Sequence, residues 1–170
     1  MVSLAALPNW LKALVLLGAA HTAPWAAGYL LRDRLAAPID AGMRLSDGRP
    51  VLGDHKTWRG LVAALLTCAL AAALLGYAVS LGIAFAILAL AGDATSSLIK
   101  RRVRLEPGAE FPGLDQIPEA LAPLLTLATP LGIGVGAVWT LTGVFTLADL
   151  VAMPLRRHPP DDVSDKPSGS

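Results

Sequence analysis

Residues Gly60 to Gly92 read GLVAALLTCALAAALLGYAVSLGIAFAILALAG, 33 consecutive positions without a charged side chain. A helix needs about 20 apolar residues to cross the ~30 Å hydrocarbon core of a bilayer, so this run holds nearly two spans. Gly76 and Tyr77, followed by Ser80, Leu81 and Gly82, place small and polar residues at its midpoint, where a tight turn belongs. The run therefore predicts a helical hairpin, Leu61 to about Val79 and about Leu81 to Leu98.

Two further apolar stretches flank the hairpin. Ala120 to Ala148 is uncharged, and its apolar character continues past Asp149 to Met153. At 1.5 Å per residue that is too long for one span and barely enough for two. A break is expected at Pro130 or among Gly132, Gly134 and Gly136. Upstream, Ala13 to Leu31 is interrupted only by His21, Thr22 and Pro24. Lys12 offers a thin positive flank for a signal peptide, but the run exceeds a typical h-region and holds a Pro-Trp pair, which favours a retained helix.

Composition agrees with residence in lipid. Of 170 residues, 54% are hydrophobic and 16% charged, against about 25% charged in ordinary soluble domains. Disordered chains are poor in apolar residues, so disorder is excluded for most of the length. Fourteen Lys and Arg against 13 Asp and Glu leave a net charge of +1, which argues against a nucleic-acid partner. The lone Cys68 excludes an intrachain disulfide and Cys-rich zinc frameworks.

Basic residues set the expected orientation, because Lys and Arg accumulate in cytoplasmic loops. They gather between Arg32 and Arg59, between Lys100 and Arg104, and in the tail, while the turn near Gly76–Gly82 has none. One span, a hairpin and two more spans satisfy this pattern. The expectation is an all-α polytopic membrane protein of about five transmembrane helices, with two cytoplasmic active-site loops. Its N-terminus would lie outside and its C-terminus inside, in the cell inner membrane. Residues 1–155 form a single membrane-embedded domain in this reading, and 156–170 a disordered tail rich in Pro, Ser and Asp.

Polar chemistry concentrates in three short segments. GDATSSLIKRR, Gly92 to Arg102, ends the third helix. Asp93 sits at membrane depth, where a carboxylate costs roughly 2.5–3.5 kcal/mol on the insertion scale, which makes it a functional candidate. Asp93, Ser97, Lys100 and Arg101 fall at i, i+4, i+7 and i+8, one helical face. An acid below a pair of bases suits a divalent metal with phosphates above it. The bland alternative is an Asp in the last turns with Lys and Arg snorkelling to the interface, the preferred reading for Arg102 and Arg104.

GDHKTWRG, Gly53 to Gly60, packs an acid, His55, Lys56, Thr57, Trp58 and Arg59 ahead of the second helix. Lys and Arg bind phosphate, yet basic and aromatic residues also anchor helix ends at headgroups. His55 reads equally as a base, a phosphate ligand or a solvated loop residue. PGLDQIPEAL, Pro112 to Leu121, places Asp115 and Gln116 before the fourth helix, with Pro118 and Glu119 suited to its first turn. Asp115 is either a helix N-terminal acid or, if it converges on Asp93, half of a metal site. His21, Thr22 and Pro24 either line a cavity or, more commonly for Thr, bond back to their own helix. No GxxxxGK[ST], GxSxG, HExxH or CxxC occurs, so P-loop, hydrolase and zincin chemistry lack support.

GDHKTWRGL at 53–61, GDATSSLIKRR at 92–102 and PGLDQ at 112–116, in that order, resemble the CDP-archaeol synthase family, relatives of bacterial phosphatidate cytidylyltransferases. The likeness covers about Ala13 to Leu125. It implies transfer of CMP from CTP to a membrane lipid phosphate, giving a CDP-lipid and pyrophosphate, with Mg²⁺ required. Carried over by match, Asp93, Lys100 and Asp115 are the catalytic residues, and Asp93 and Asp115 the metal ligands. His55, Lys56, Thr57, Arg59, Ser97, Arg101 and Gln116 would bind substrate. The sequence departs from the family at Pro118, where another acid is common, and it lacks the K-D-x-G signature of the bacterial enzymes. A scaffold or lipid-binding protein that keeps the fold without catalysis is the alternative, and the oligomeric state stays open.

Overall fold

A computed structural model of the chain describes residues 3–32, 34–44, 48, 51–52, 56–103, 113 and 115–156, without the side chains of 101 and 153–156. The helices are α1 (Asn9–Leu31), α2 (Trp58–Leu74), α3 (Val79–Arg102), α4 (Gln116–Thr126), α5 (Ala128–Leu131) and α6 (Val135–Arg156). The fold is all-helical among the described residues. α1, α3 and α6 are long and apolar enough to cross a bilayer, and α2 is a shorter apolar helix.

The hairpin forms where the uncharged run predicts it, with the turn at Leu75–Ala78 between α2 and α3. Ser80 and Gly82 lie inside α3 rather than in the turn. Gly82 has a packing reason instead: a Cβ there would collide with the carbonyl of Cys68, so α2 and α3 cross backbone to backbone. Ala64, Cys68 and Ala72 on α2 and Ala86 and Ala89 on α3 line that crossing fully buried. Small residues are the usual means of close helix approach in membranes, where the surrounding lipid is as apolar as the side chains. Val62, Leu66, Leu70 and Leu74, spaced by four, face outward, the place for lipid-facing side chains.

The stretch from Gln116 to Arg156 breaks twice. Gly132, with φ of 66°, ends α5 in the left-handed conformation, as glycine allows at little cost. The earlier break at Leu127 follows from Pro130, which has no N–H to donate to Thr126 four residues back. α4 and α5 together span 16 residues, about 24 Å of helical rise. They still complete a pass of the bundle. The Tyr77 hydroxyl donates to the Leu131 carbonyl at 3.1 Å, and Asn9 Nδ2 donates to Gly132 O at 3.2 Å. Both bonds tie the end of α5 to the α2–α3 turn and the start of α1.

The opposite end of the bundle is polar. There α1 finishes, α2 begins, α3 finishes and α4 begins. Between α1 and α2, Ile39 N donates to Lys56 O at 2.7 Å and Trp58 N to Ala37 O at 3.0 Å, a short antiparallel pairing. The Asp40 carboxylate holds this connection by accepting from Gly42 N at 3.0 Å and Leu52 N at 2.9 Å. α6 continues to Arg156, the first residue of the expected tail; 157–170 lie outside the described residues.

Candidate functional site

The site forms where α3 packs on α4. Gly92 is the pivot: a Cβ on it would collide with the Pro118 carbonyl, so the two backbones touch. Asp93 follows that contact on α3, and Asp115 precedes it by three residues, just ahead of α4, so both acids lie along one seam. Along α3, Ser97 and Lys100 are buried on the same face. The hydroxyls of Ser96 and Ser97 donate to the Asp93 carbonyl at 2.8 and 3.0 Å, the local back-bonding that satisfies such groups inside a helix.

Each acid on the seam faces a lysine. Lys56, delivered by the Ile39–Lys56 pairing, forms an ion pair with Asp93 Oδ2. Lys100 Nζ sits 2.7 Å from Asp115 Oδ1, with 9% of its side chain exposed. Thus two ion pairs, drawn from three separated segments, stand at one end of the bundle. Buried charge is tolerated only when paired in this way.

The remaining predicted residues have different placements. The Thr57 hydroxyl accepts from Gly60 N at 3.4 Å and caps α2, so it fixes the start of the helix carrying Arg59. Arg59 donates through one terminal nitrogen to the carbonyls of Arg32, closely, and of Arg34, at 3.1 Å. Its Nε is buried and lacks a hydrogen-bond partner among the described residues. Gln116 is occupied at both ends of its amide: Nε2 donates to Asp149 Oδ2 at 2.6 Å, and Oε1 accepts from Gly113 N at 2.8 Å. His55 and Arg104 lie outside the described residues, as does the side chain of Arg101.

Three polar residues outside the expected catalytic, substrate and metal set sit beside the seam. His21 on α1 lies between Glu119 on α4 and Asp149 on α6. The Thr22 hydroxyl bonds back to Gly18 O at 2.7 Å, and His21 and Thr22 also line a cavity, so both readings of that stretch hold. A cavity of about 250 Å³ opens beside this cluster, lined by His21, Thr22, Trp25, Asp149 and Ala152. Glu119 reads locally as an N-terminal helix acid. In the sequence, His21 interrupts the first apolar run and Asp149 is a solitary charge in the last.

Among the described residues, no group of three or more His, Cys, Asp or Glu is arranged to hold a metal unaided. Mg²⁺ does not need one, because it commonly takes one or two carboxylates and completes its shell with water and substrate phosphates. Asp93 and Asp115, each beside a lysine, suit that mode of binding.

Fold and site together define a polytopic integral membrane protein with a charge-paired polar site at one end of its helix bundle. The chain belongs to the CarS-like family of CDP-archaeol synthases, whose model matches residues 11–152. It is 43% identical over 96 residues to a CDP-archaeol synthase of Hyperthermus butylicus, covering 53% of this chain and 57% of that protein. It is 41% identical over 107 residues to the Methanosphaerula palustris CDP-archaeol synthase, covering 53% and 62%. These matches span less than two thirds of the curated relatives' length. A solved structure of an intramembrane enzyme for archaeal membrane lipids biosynthesis superposes with a TM-score of 0.68 and 33% identity, over 85% of this chain and 94% of that one.

Proposed function

We propose that this protein transfers CMP from CTP to a membrane lipid phosphate, releasing pyrophosphate and leaving a CDP-activated lipid. The observation that carries the reading is the double charge pair, Lys56 with Asp93 and Lys100 with Asp115. A magnesium–nucleotide complex carries both signs of charge. It can engage the carboxylates through the metal and the ammonium groups through the phosphates.

A lipid phosphomonoester is largely dianionic at pH 7, because its second pKa is about 6. One of its oxygens attacks the α-phosphorus of CTP. The bond from that phosphorus to the oxygen bridging to the β-phosphate breaks, and pyrophosphate leaves with the bonding pair. No general base is needed. What the protein supplies is alignment of two polyanions and neutralisation of their repulsion. Lys100, Lys56 and the buried Arg59 Nε provide positive charge and donors for the phosphates. Asp93 and Asp115 would hold Mg²⁺, which when bound would supply Lewis-acid stabilisation of negative charge on the phosphates. The site faces the cytoplasm, where CTP is found, and the acceptor tails lie between helices in the cell inner membrane. The acceptor chains are either ether-linked isoprenoid or ester-linked acyl, since apolar helix faces contact both alike.

Mass spectrometry of lipids from cells lacking the protein tests this reading. The expected result is accumulation of one lipid phosphate and loss of its CDP derivative, restored by the wild-type gene and not by Asp115→Asn. Unchanged pools of both would refute it.

A further inference from the structure

A second polar network, separate from the lysine–carboxylate pairs, links three helices. His21 Nδ1 lies 3.1 Å from both carboxylate oxygens of Glu119, and Nε2 lies 3.0 Å from Asp149 Oδ1. Asp149 uses its other oxygen to accept from Gln116 Nε2, and Gln116 Oε1 accepts from the Gly113 amide. The chain of bonds therefore runs from the middle of α1, through α4 and α6, to the turn immediately before Asp115. Phe145 closes one side with its ring edge-on to the imidazole at 5.3 Å.

Hydrogen-bond chemistry constrains this arrangement. An ionised carboxylate only accepts, and a neutral imidazole has one donor and one acceptor. Two imidazole–carboxylate contacts therefore require two bridging protons. Either His21 is an imidazolium between two carboxylates, or it is neutral with one carboxylic acid. Each assignment leaves the same single negative charge on the three groups, and each fixes the ring in the same orientation. Charge-assisted bonds of this kind are strong and directional, and α1 and α6 are held to α4 by them at the level where α4 begins.

We propose that His21 is a positioning residue that sets the Asp115 turn through Asp149 and Gln116. The transfer site would then depend on a side chain of α1 that touches neither nucleotide nor metal. The kinetic part of this proposal rests on the cytidylyl-transfer reading; the structural part does not. Glu119 adds a second tie. It follows Pro118, whose carbonyl abuts Gly92, and it lies within electrostatic reach of Asp93 and Lys56. Losing the His21 bridge would free α4 to rotate at the point where it meets α3.

The test uses purified full-length protein in lipid nanodiscs and four variants: His21→Gln, Asp149→Asn, the double variant, and Thr95→Ala as control. Among the described residues, the Thr95 hydroxyl bonds within α3, to Ala91 O. Hydrogen exchange at the Gly113 amide should quicken by ~10-fold or more in both single variants and not in the control, as expected for loss of local protection. At matched folded protein, turnover should fall by ~10-fold with the CTP KM changed less than ~3-fold. The double variant should be no worse than the weaker single, because residues acting as one unit are non-additive. Asp149→Asn keeps side-chain shape and serves if His21→Gln does not fold. Unchanged Gly113 exchange in the single variants, or losses of turnover that multiply in the double, would overturn the proposal. If the wild type turned over no CTP, the transfer reading would fail, and the Gly113 exchange would still decide whether His21 sets the turn.

Discussion

Lys100 Nζ and Asp115 Oδ1 stand 2.7 Å apart across the α3–α4 seam, with 9% and 20% of their side chains exposed. The pair joins the end of one helix to the entrance of another, and neither residue can move without uncovering the other's charge. Breaking a buried pair by removing one partner typically costs 3–5 kcal/mol. The two residues are therefore coupled in stability as well as in the proposed chemistry, and experiments on them must separate the two effects.

Lys100→Gln at matched amounts of folded, membrane-inserted protein should raise the CTP KM or lower turnover by ~10-fold or more, as for loss of a charged hydrogen bond worth about 1.5–3 kcal/mol. Arg102, exposed at the end of α3, should tolerate the same change within a few-fold. Steady-state kinetics of the two variants side by side decide the matter; equal effects would leave Lys100 a structural partner of Asp115 without a part in catalysis.

Asp93→Asn preserves size and removes charge. The variant should insert and fold, while Mg²⁺-dependent turnover falls by roughly 100-fold or more, as expected when a ligand worth several kcal/mol to the transition state is lost. Magnesium titration of both proteins provides the check. Wild-type activity of the variant at low Mg²⁺ would assign Asp93 a structural role, as partner of Lys56 alone.

Gly92→Ala should be among the most damaging small substitutions in the chain, because the added methyl meets the Pro118 carbonyl. Overpacking of this kind typically costs 1–3 kcal/mol, read as a lower thermal midpoint and a smaller folded yield. Gly136, with nothing within 4 Å of its Cβ position, should accept Ala with no loss, since Ala is favoured over Gly in helices by roughly 0.5–1 kcal/mol.

Membrane-impermeant maleimide labelling reads the orientation. Single cysteines near Asp47 and Glu110 should label from the cytoplasmic side, and one at Ser80 from the opposite side. The native Cys68 is fully buried and should stay silent. External labelling near Glu110 would invert the arrangement and remove the site from its nucleotide.

Much of the fold is legible in the sequence. The helical passes follow from uncharged runs whose length only a bilayer explains, and the break at Gly132 follows from a residue suited to positive φ. The segments holding Lys56, Asp93, Lys100 and Asp115 stand out because charges at helix ends in so apolar a chain need a reason. The His21 network was not legible. Its members are separated by 98 positions between His21 and Glu119 and by 33 between Gln116 and Asp149, and each alone has an ordinary local explanation. Periodicity reports which face a residue occupies and says nothing about the partner it meets there. Thr57 likewise carries a local role, capping α2, that its place in a basic motif does not announce.

The most direct measurement of the central claim is label transfer by the purified protein in nanodiscs, supplied with CTP labelled at the α- or the γ-phosphate and with a lipid phosphate of either chain type. The account predicts Mg²⁺-dependent movement of the α-label into the lipid phase, one pyrophosphate released per CDP-lipid formed, and γ-label recovered only in pyrophosphate. No transfer to either acceptor, or γ-label appearing in lipid, would contradict it.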